Sequence, residues 1–185
     1  MHKKKKRNIL VGVCGGIAAY KTAFLIRELV KEGLSVKVVM TPSATKFVTP
    51  LTFQTLSNNE VPIDMFNMYP CSTKHISIAK WTDICVIAPL SANTLSKIAN
   101  GICDNLLTTV ICALPAKVKV ICAPAMNENM WKKYPIQENI KKLKEKLNFL
   151  FINPTRGELA CGDYGEGRMA EPQTIFKKIK SLLDK

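Results

Sequence analysis

The chain has 185 residues, 47% of them hydrophobic, enough to bury one continuous core without cross-links. Its formal charge of +13, from 27 Lys and Arg against 14 Asp and Glu, raises a nucleic-acid partner, but the basic residues gather in residues 3–7, 132–146 and 177–185 without the interleaved aromatics of a base-stacking platform. Nucleic-acid binding is therefore not expected, and neither is membrane insertion, since nowhere do about 18 apolar residues run without interruption.

Residues 1–7 form a basic tail, and residues 8–185 are expected to make a single domain. The tail and Ile9-Leu10-Val11 imitate a signal peptide until Gly12, Gly15, Gly16, Tyr20 and Lys21 break the apolar stretch. Residues 8–13 are a short apolar run ending in Cys14-Gly15-Gly16, and residues 17–32 carry helical spacing closed by Gly33. A second β-branched run covers 35–40, followed by helical spacing at 51–56. Residues 83–88 and 117–122 are the third and fourth runs, with helices at 92–100 and 105–114 between them. A helix at 136–146, a fifth strand at 148–152 and a helix at 173–183 complete the chain. Strands alternating with helices predict an α/β fold whose mainly parallel sheet is covered on both faces.

In an open parallel sheet, ligands bind beyond the carboxyl ends of the strands. Four segments fall there: Cys14-Gly15-Gly16, Thr41-Pro42-Ser43, residues 89–94 and residues 123–131. The first turn does not fit GxGxxG, and the second strand ends in Met40 and Thr41 instead of an acidic residue, so a dinucleotide is disfavoured. Hydroxyls beside helix N-termini suit a mononucleotide phosphate better. The glycine turn can equally serve tight packing. Ser91 or Asn93 can cap a helix, yet Ser91, Asn93 and Thr94 together exceed what one cap needs.

These residues then become recognisable. Gly15-Gly16-Ile17-Ala18-Ala19-Tyr20-Lys21, the stretch from Ala88 to Leu95 with Cys103 to Thr108, and Pro124-Ala125-Met126-Asn127-Glu128-Asn129-Met130-Trp131, complete for PxMNxxMW, together resemble the homo-oligomeric flavin-containing cysteine decarboxylase family. Residues 160–172 resemble the flap that closes over the substrate in that family, and the likeness covers nearly the whole chain. The resemblance implies a Rossmann-like, flavodoxin-like three-layer sandwich and FMN held by Gly15, Thr41, Pro42, Ser43, Ser91, Ala92, Asn93, Thr94 and Ala125. It implies substrate contacts from Asn127, Glu158, Ala160 and Met169, and catalytic roles for His75 and Cys161. The branch it points to acts on 4'-phosphopantothenoylcysteine, giving 4'-phosphopantetheine in coenzyme A biosynthesis, as a cytoplasmic homotrimer or trimer-based dodecamer. Two departures stand out. Cys14 replaces the serine of many relatives, and the chain stops at Lys185 where many bacterial relatives continue into a synthetase domain, so a separate phosphopantothenate–cysteine ligase is expected.

The chemistry needs an electron sink. Loss of CO2 from a cysteinyl carboxylate strands electrons on Cα, and oxidation of the thiol-bearing carbon to a thioaldehyde provides a C=S that accepts them, leaving an enethiolate to be reduced. His2 lies in the tail, so His75 is the imidazole available for proton transfer, although a lone histidine is often structural. Asn127 can donate to a carboxylate without adding charge, or can cap a following turn. Met126 and Met130 are read as packing, and Cys85, Cys103, Cys112 and Cys122 as small core hydrophobes. Cys161 differs, because glycines and polar residues surround it and predict a mobile, accessible thiol. The seven cysteines include no CxxC pair and match no ligand spacing, so no metal site and a reducing compartment are expected. A peptidyl-cysteine decarboxylase, a flavin prenyltransferase and a non-catalytic regulatory flavoprotein are the alternatives; Cys161 argues against the first, PxMNxxMW with the flap against the second, and the lack of a long acidic extension against the third.

Overall fold

Apolar runs with no polar face are stable as strands only where both sheet faces are covered. In the computed structural model, which describes residues 6–66, 74–160 and 162–184, they form a five-stranded sheet. Its strands are β1 (Asn8–Val13), β2 (Ser35–Met40), β3 (Ile84–Leu90), β4 (Lys119–Pro124) and β5 (Leu150–Phe151), in the order β2-β1-β3-β4-β5. Every pairing in it is parallel: Ile9 lies opposite both Val36 and Ile84, and Ile121 opposite both Val86 and Leu150.

Alternation along each strand divides the core into two layers. Ile9, Val11, Val38, Met40 and Val86 pack against α1 (Ala19–Lys31), α2 (Pro50–Ser57) and α8 (Pro172–Leu183) through Leu25, Leu29, Phe53 and Ile175. Leu10, Cys85, Ile87 and Cys122 face α3 (Lys74–Trp81), α4 (Ala92–Ala99), α5 (Leu106–Cys112) and α7 (Tyr134–Leu147) through Ile78, Leu95, Leu107 and Leu143. Each fully buried leucine in these layers contributes about 1.5–3 kcal/mol. The result is the expected α/β three-layer sandwich with helices on both faces of a parallel sheet.

Several local expectations need correction. Asn148 does not begin the fifth strand; at φ 55° it is the left-handed cap of α7, and the strand shrinks to two edge residues. Gly33, at φ 81°, does close α1 as its position suggests. Residues 155–168 contain an antiparallel hairpin, β6 (Thr155–Glu158) paired with β7 (Tyr164–Arg168), which lies apart from the main sheet. A single-turn helix, α6 (Glu128–Trp131), follows β4. Cys85 and Cys122 are buried, and burial pushes the Cys85 thiol up to about 12 and that of Cys122 well above its ordinary value. Cys103 and Cys112 are instead exposed, Cys103 in the loop before α5 and Cys112 as the last residue of that helix. Among the described residues, no helix is long and apolar enough to cross a membrane.

Candidate functional site

After β1 the chain crosses to one face of the sheet as α1, and after β3 it crosses to the other as α4. Divergence of neighbouring connections opens a crevice beyond the strand ends. Here it is a cleft of about 910 Å³, walled by the turns after β1, β2, β3 and β4 on one side and by the β6–β7 hairpin on the other.

The turn after β1 makes the floor. A Cβ on Gly15 would lie 2.5 Å from Ser43 Oγ and 2.9 Å from the Ser43 carbonyl carbon, so the first two turns can touch only because residue 15 is glycine. Gly16 faces open space. Thr41 Oγ1 lies 3.1 Å from Ser43 Oγ and accepts the Ala44 N–H at 3.3 Å, which fixes the hydroxyl of Ser43 on the cleft wall. Thr41 itself is buried behind that wall, and Pro42 is exposed; Ser43 alone of the three lines the cavity.

At the end of β3, Ser91 Oγ accepts the Thr94 N–H at 3.3 Å and caps α4. Ala92 and Asn93 join Ser91 in lining the cleft, while Thr94 is buried beneath it. Cys14 is also behind the wall. Its N–H donates to the Pro89 carbonyl at 3.2 Å. Burial raises its thiol, with hydrogen bonding from Thr94 and Ser91 pulling the other way. It is therefore a packed strut between the β1 and β3 turns and is not part of the cleft lining.

Opposite, Ala125 and Asn127 line the cleft from the loop after β4. Asn127 Oδ1 accepts the Asn129 N–H at 2.8 Å, so the residue does cap α6, and the cap fixes the orientation of its amide. From the hairpin side come the exposed Glu158 and Ala160 and the fully buried Met169. His75 is half-buried in the first turn of α3, in the layer that packs on α5, and is not part of this chain's own cleft lining. Cys161 lies outside the described residues.

Other lining residues escaped the sequence reading. Lys21 Nζ sits 2.7 Å from Glu171 Oε1 with only 11% of its side chain exposed, and Arg168 approaches the same carboxylate at 3.6 Å. Two cations sharing one carboxylate leave that lip of the cleft positive. Both fall in stretches the resemblance covers, Lys21 at the end of the flavin-loop-like segment and Arg168 in the flap-like one, but neither was assigned a contact there. Met126 and Met130 were read as packing; Met126 does pack against the core layer beneath the cleft while also lining it, whereas Met130 lines the cavity and is 47% exposed.

The model of the family described as Flavoprotein matches residues 1–184. A coenzyme A biosynthesis bifunctional protein, CoaBC, of Borreliella burgdorferi is 45% identical over 175 residues, covering 95% of this chain but 44% of that protein. The chain thus spans less than half the length of the bifunctional relatives it matches. A Streptococcus mutans protein named "Probable phosphopantothenoylcysteine decarboxylase" is 44% identical, with 96% of this chain and 99% of that one covered. Among solved structures, a cysteine-to-serine mutant of PPC decarboxylase complexed with pantothenoylaminoethenethiol superposes with a TM-score of 0.86 at 35% identity, covering 98% of this chain and 100% of that one. The FMN binding protein AtHal3 gives 0.82 at 36% identity, covering 97% and 98%. A family match that runs almost end to end, and a relative aligned over nearly its full length, make this chain a member of the Flavoprotein family.

Proposed function

We propose that the chain binds FMN in this cleft and decarboxylates 4'-phosphopantothenoylcysteine to 4'-phosphopantetheine in the cytoplasm, as a step of coenzyme A biosynthesis. One observation carries the reading: a single cavity at the β1/β3 divergence gathers Gly15, Ser43, Ser91 and Ala125 with Asn127, Glu158, Ala160 and Met169. In flavodoxin-like sheets of this strand order the same crevice takes FMN. The residues present fit that group. Ile17, Ala92, Ala125 and Met126 offer an apolar slot for a flat ring system, while the hydroxyls of Ser43 and Ser91 and the N-terminus of α1, which no side chain caps, suit a phosphate. Five described cysteines are free, in keeping with a reducing compartment.

Bound there, the flavin supplies reversible hydride acceptance. The chain's own residues do the rest. Asn127 donates an amide hydrogen bond to the departing carboxylate without a charge that would hold CO2 back. Lys21 and Arg168 draw anionic groups to the lip, and the hairpin carrying Glu158, Ala160 and Met169 excludes water. His75 transfers the proton during thiol oxidation, and Cys161 returns one to the enethiolate.

The assignment of His75 calls for a second copy of the chain, because the imidazole stands away from its own cleft. A homo-oligomer, which we take as trimeric or built from trimers, is in keeping with exposed apolar residues at the start of α1 and just before it: Ile17, Tyr20 and Phe24 are 58%, 52% and 60% exposed.

Purified protein should be yellow and release CO2 from 4'-phosphopantothenoylcysteine, with the aminothiol as product by mass. A colourless protein that takes up no FMN contradicts the reading. His75→Asn should nearly abolish turnover, while Cys161→Ser should still release CO2 but fail to complete the reduction. An enethiol as the wild-type product would move the chain to the peptidyl-cysteine type.

A further inference from the structure

The PxMNxxMW pattern leaves residue 128 open, yet the structure gives Glu128 more contacts to the hairpin than any neighbour in the motif requires. Its Oε1 accepts the Glu166 N–H at 3.3 Å and holds Lys132 Nζ at 2.8 Å. The carboxylate lies flat on the β7 backbone: a Cβ on Gly165 would come within 2.6 Å of Oε2 and 2.8 Å of Cδ. Two residues away the same docking repeats, because Met126 N–H donates to the Gly167 carbonyl at 3.0 Å and a Cβ on Gly167 would fall directly on Met126 oxygen. Asn127 sits between these two contacts, and β7 runs on from them into Arg168 and Met169 on the cleft wall.

We infer that Glu128 is a positioning residue: its carboxylate latches the β6–β7 hairpin to the loop that presents Asn127, and thereby sets how tightly the substrate is held. Side chains on both sides of the substrate are brought to one spacing by this contact, and Lys132 meets the same carboxylate oxygen from the exposed side without taking part in the docking. The substrate part of the inference rests on the decarboxylase reading; the docking part does not.

The experiment compares wild type, Glu128→Ala, Glu128→Gln and Lys132→Ala by amide hydrogen exchange at residues 164–168, FMN absorbance, and KM and kcat for 4'-phosphopantothenoylcysteine. Losing one charge-assisted hydrogen bond should speed exchange in E128A about tenfold and raise KM about tenfold, with kcat within about twofold and FMN content unchanged. The E128Q variant keeps an acceptor oxygen and should recover most of both, within about threefold of wild type. The K132A variant, which leaves the acceptor in place, should stay near wild type. Exchange unchanged in E128A, or altered equally in E128Q and E128A, overturns the latch. Faster exchange with an unchanged KM overturns its link to the substrate. Wild-type protein that binds no FMN or releases no CO2 would sink the decarboxylase reading alone, because the exchange data decide the docking without substrate.

Discussion

The two walls of the cleft are held by different forces. The wall of strand-end turns is held by burial: Cys14, Thr41 and Thr94 are 0%, 5% and 2% exposed, Cys14 and Thr41 donate their N–H groups to Pro89 and Val13 of neighbouring strands, and Thr94 is bonded to the Ser91 cap of its own helix. The hairpin wall carries exposed Glu158, Ala160 and Tyr164 and is held by backbone contacts that glycines permit. Buried turns cannot shift without disturbing the sheet they terminate, whereas a strap held at a few points can detach and leave the core intact. Damage to the first wall should therefore be felt as lost stability, and damage to the second as lost activity.

The sharpest test is Gly167→Ala. The added methyl collides with a backbone carbonyl, which cannot move aside as a side-chain tip could. The hairpin must lift, and displacement of that order costs about 100-fold in kcat/KM. The melting temperature should change little, since β6 and β7 lie outside the five-stranded sheet. A large drop in melting temperature with kinetics intact would reverse the contrast between the walls. Gly15→Ala is the counterpart on the buried side. Its methyl meets both the side chain and the carbonyl carbon of Ser43, and overpacking of about 1–3 kcal/mol should weaken FMN retention roughly 30-fold and lower stability together. Titration of apoprotein with FMN, alongside thermal unfolding, reads both effects; loss of one without the other would show that the turn is not a single packed unit.

How far each wall could be read in advance follows from the same difference. Residues 8–13 and 35–40 declared themselves as apolar, β-branched runs, and Gly33 marked the end of α1 through the left-handed turn that glycine tolerates. Ser43 and Ser91 were visible as polar residues at strand ends. Their neighbours Thr41 and Thr94 look identical in sequence, and only the packing shows that they support the wall without facing the cleft. The hairpin gave no such signal in its own pattern, and residues 160–172 stood out only through their likeness to a flap. Thr155–Glu158 and Tyr164–Arg168 have almost no alternating apolar residues, since their pairing rests on backbone bonds and on Glu128 more than on a buried face. Asn148 misled for a related reason, because a left-handed cap next to an apolar pair resembles the start of a strand. Cys103 and Cys112 misled because an apolar neighbourhood in sequence does not say which end of a helix reaches the core.

A smaller effect sharpens the buried wall. Thr22 Oγ1 donates to the Ala88 carbonyl at 2.7 Å with no exposure, tying α1 to the end of β3 beneath the cleft. Thr22→Val keeps the shape and strands the carbonyl, at a cost of about 1–3 kcal/mol in unfolding free energy. Denaturant unfolding should register this, while FMN affinity stays within about twofold of wild type. An unchanged midpoint would mean that the two layers meet at this point without needing the bond.

The smallest effect concerns acid. Lys132, and after it the Glu166 N–H, hold the Glu128 carboxyl below its ordinary value of 4.5, with the charge of Arg156 on β6 acting in the same sense. A carboxyl whose pKa is depressed by docking stabilises the docked hairpin fully above its ordinary value and loses that contribution as pH falls through the depressed one. Hairpin docking should therefore hold from neutrality down to about pH 5 and loosen below it. Because intrinsic exchange rates also depend on pH, the measurement is the ratio of exchange at residues 164–168 between wild type and E128Q, whose amide does not titrate. That ratio should approach one as the pH drops, and a ratio independent of pH would show that the Glu128 charge contributes nothing to holding the strap.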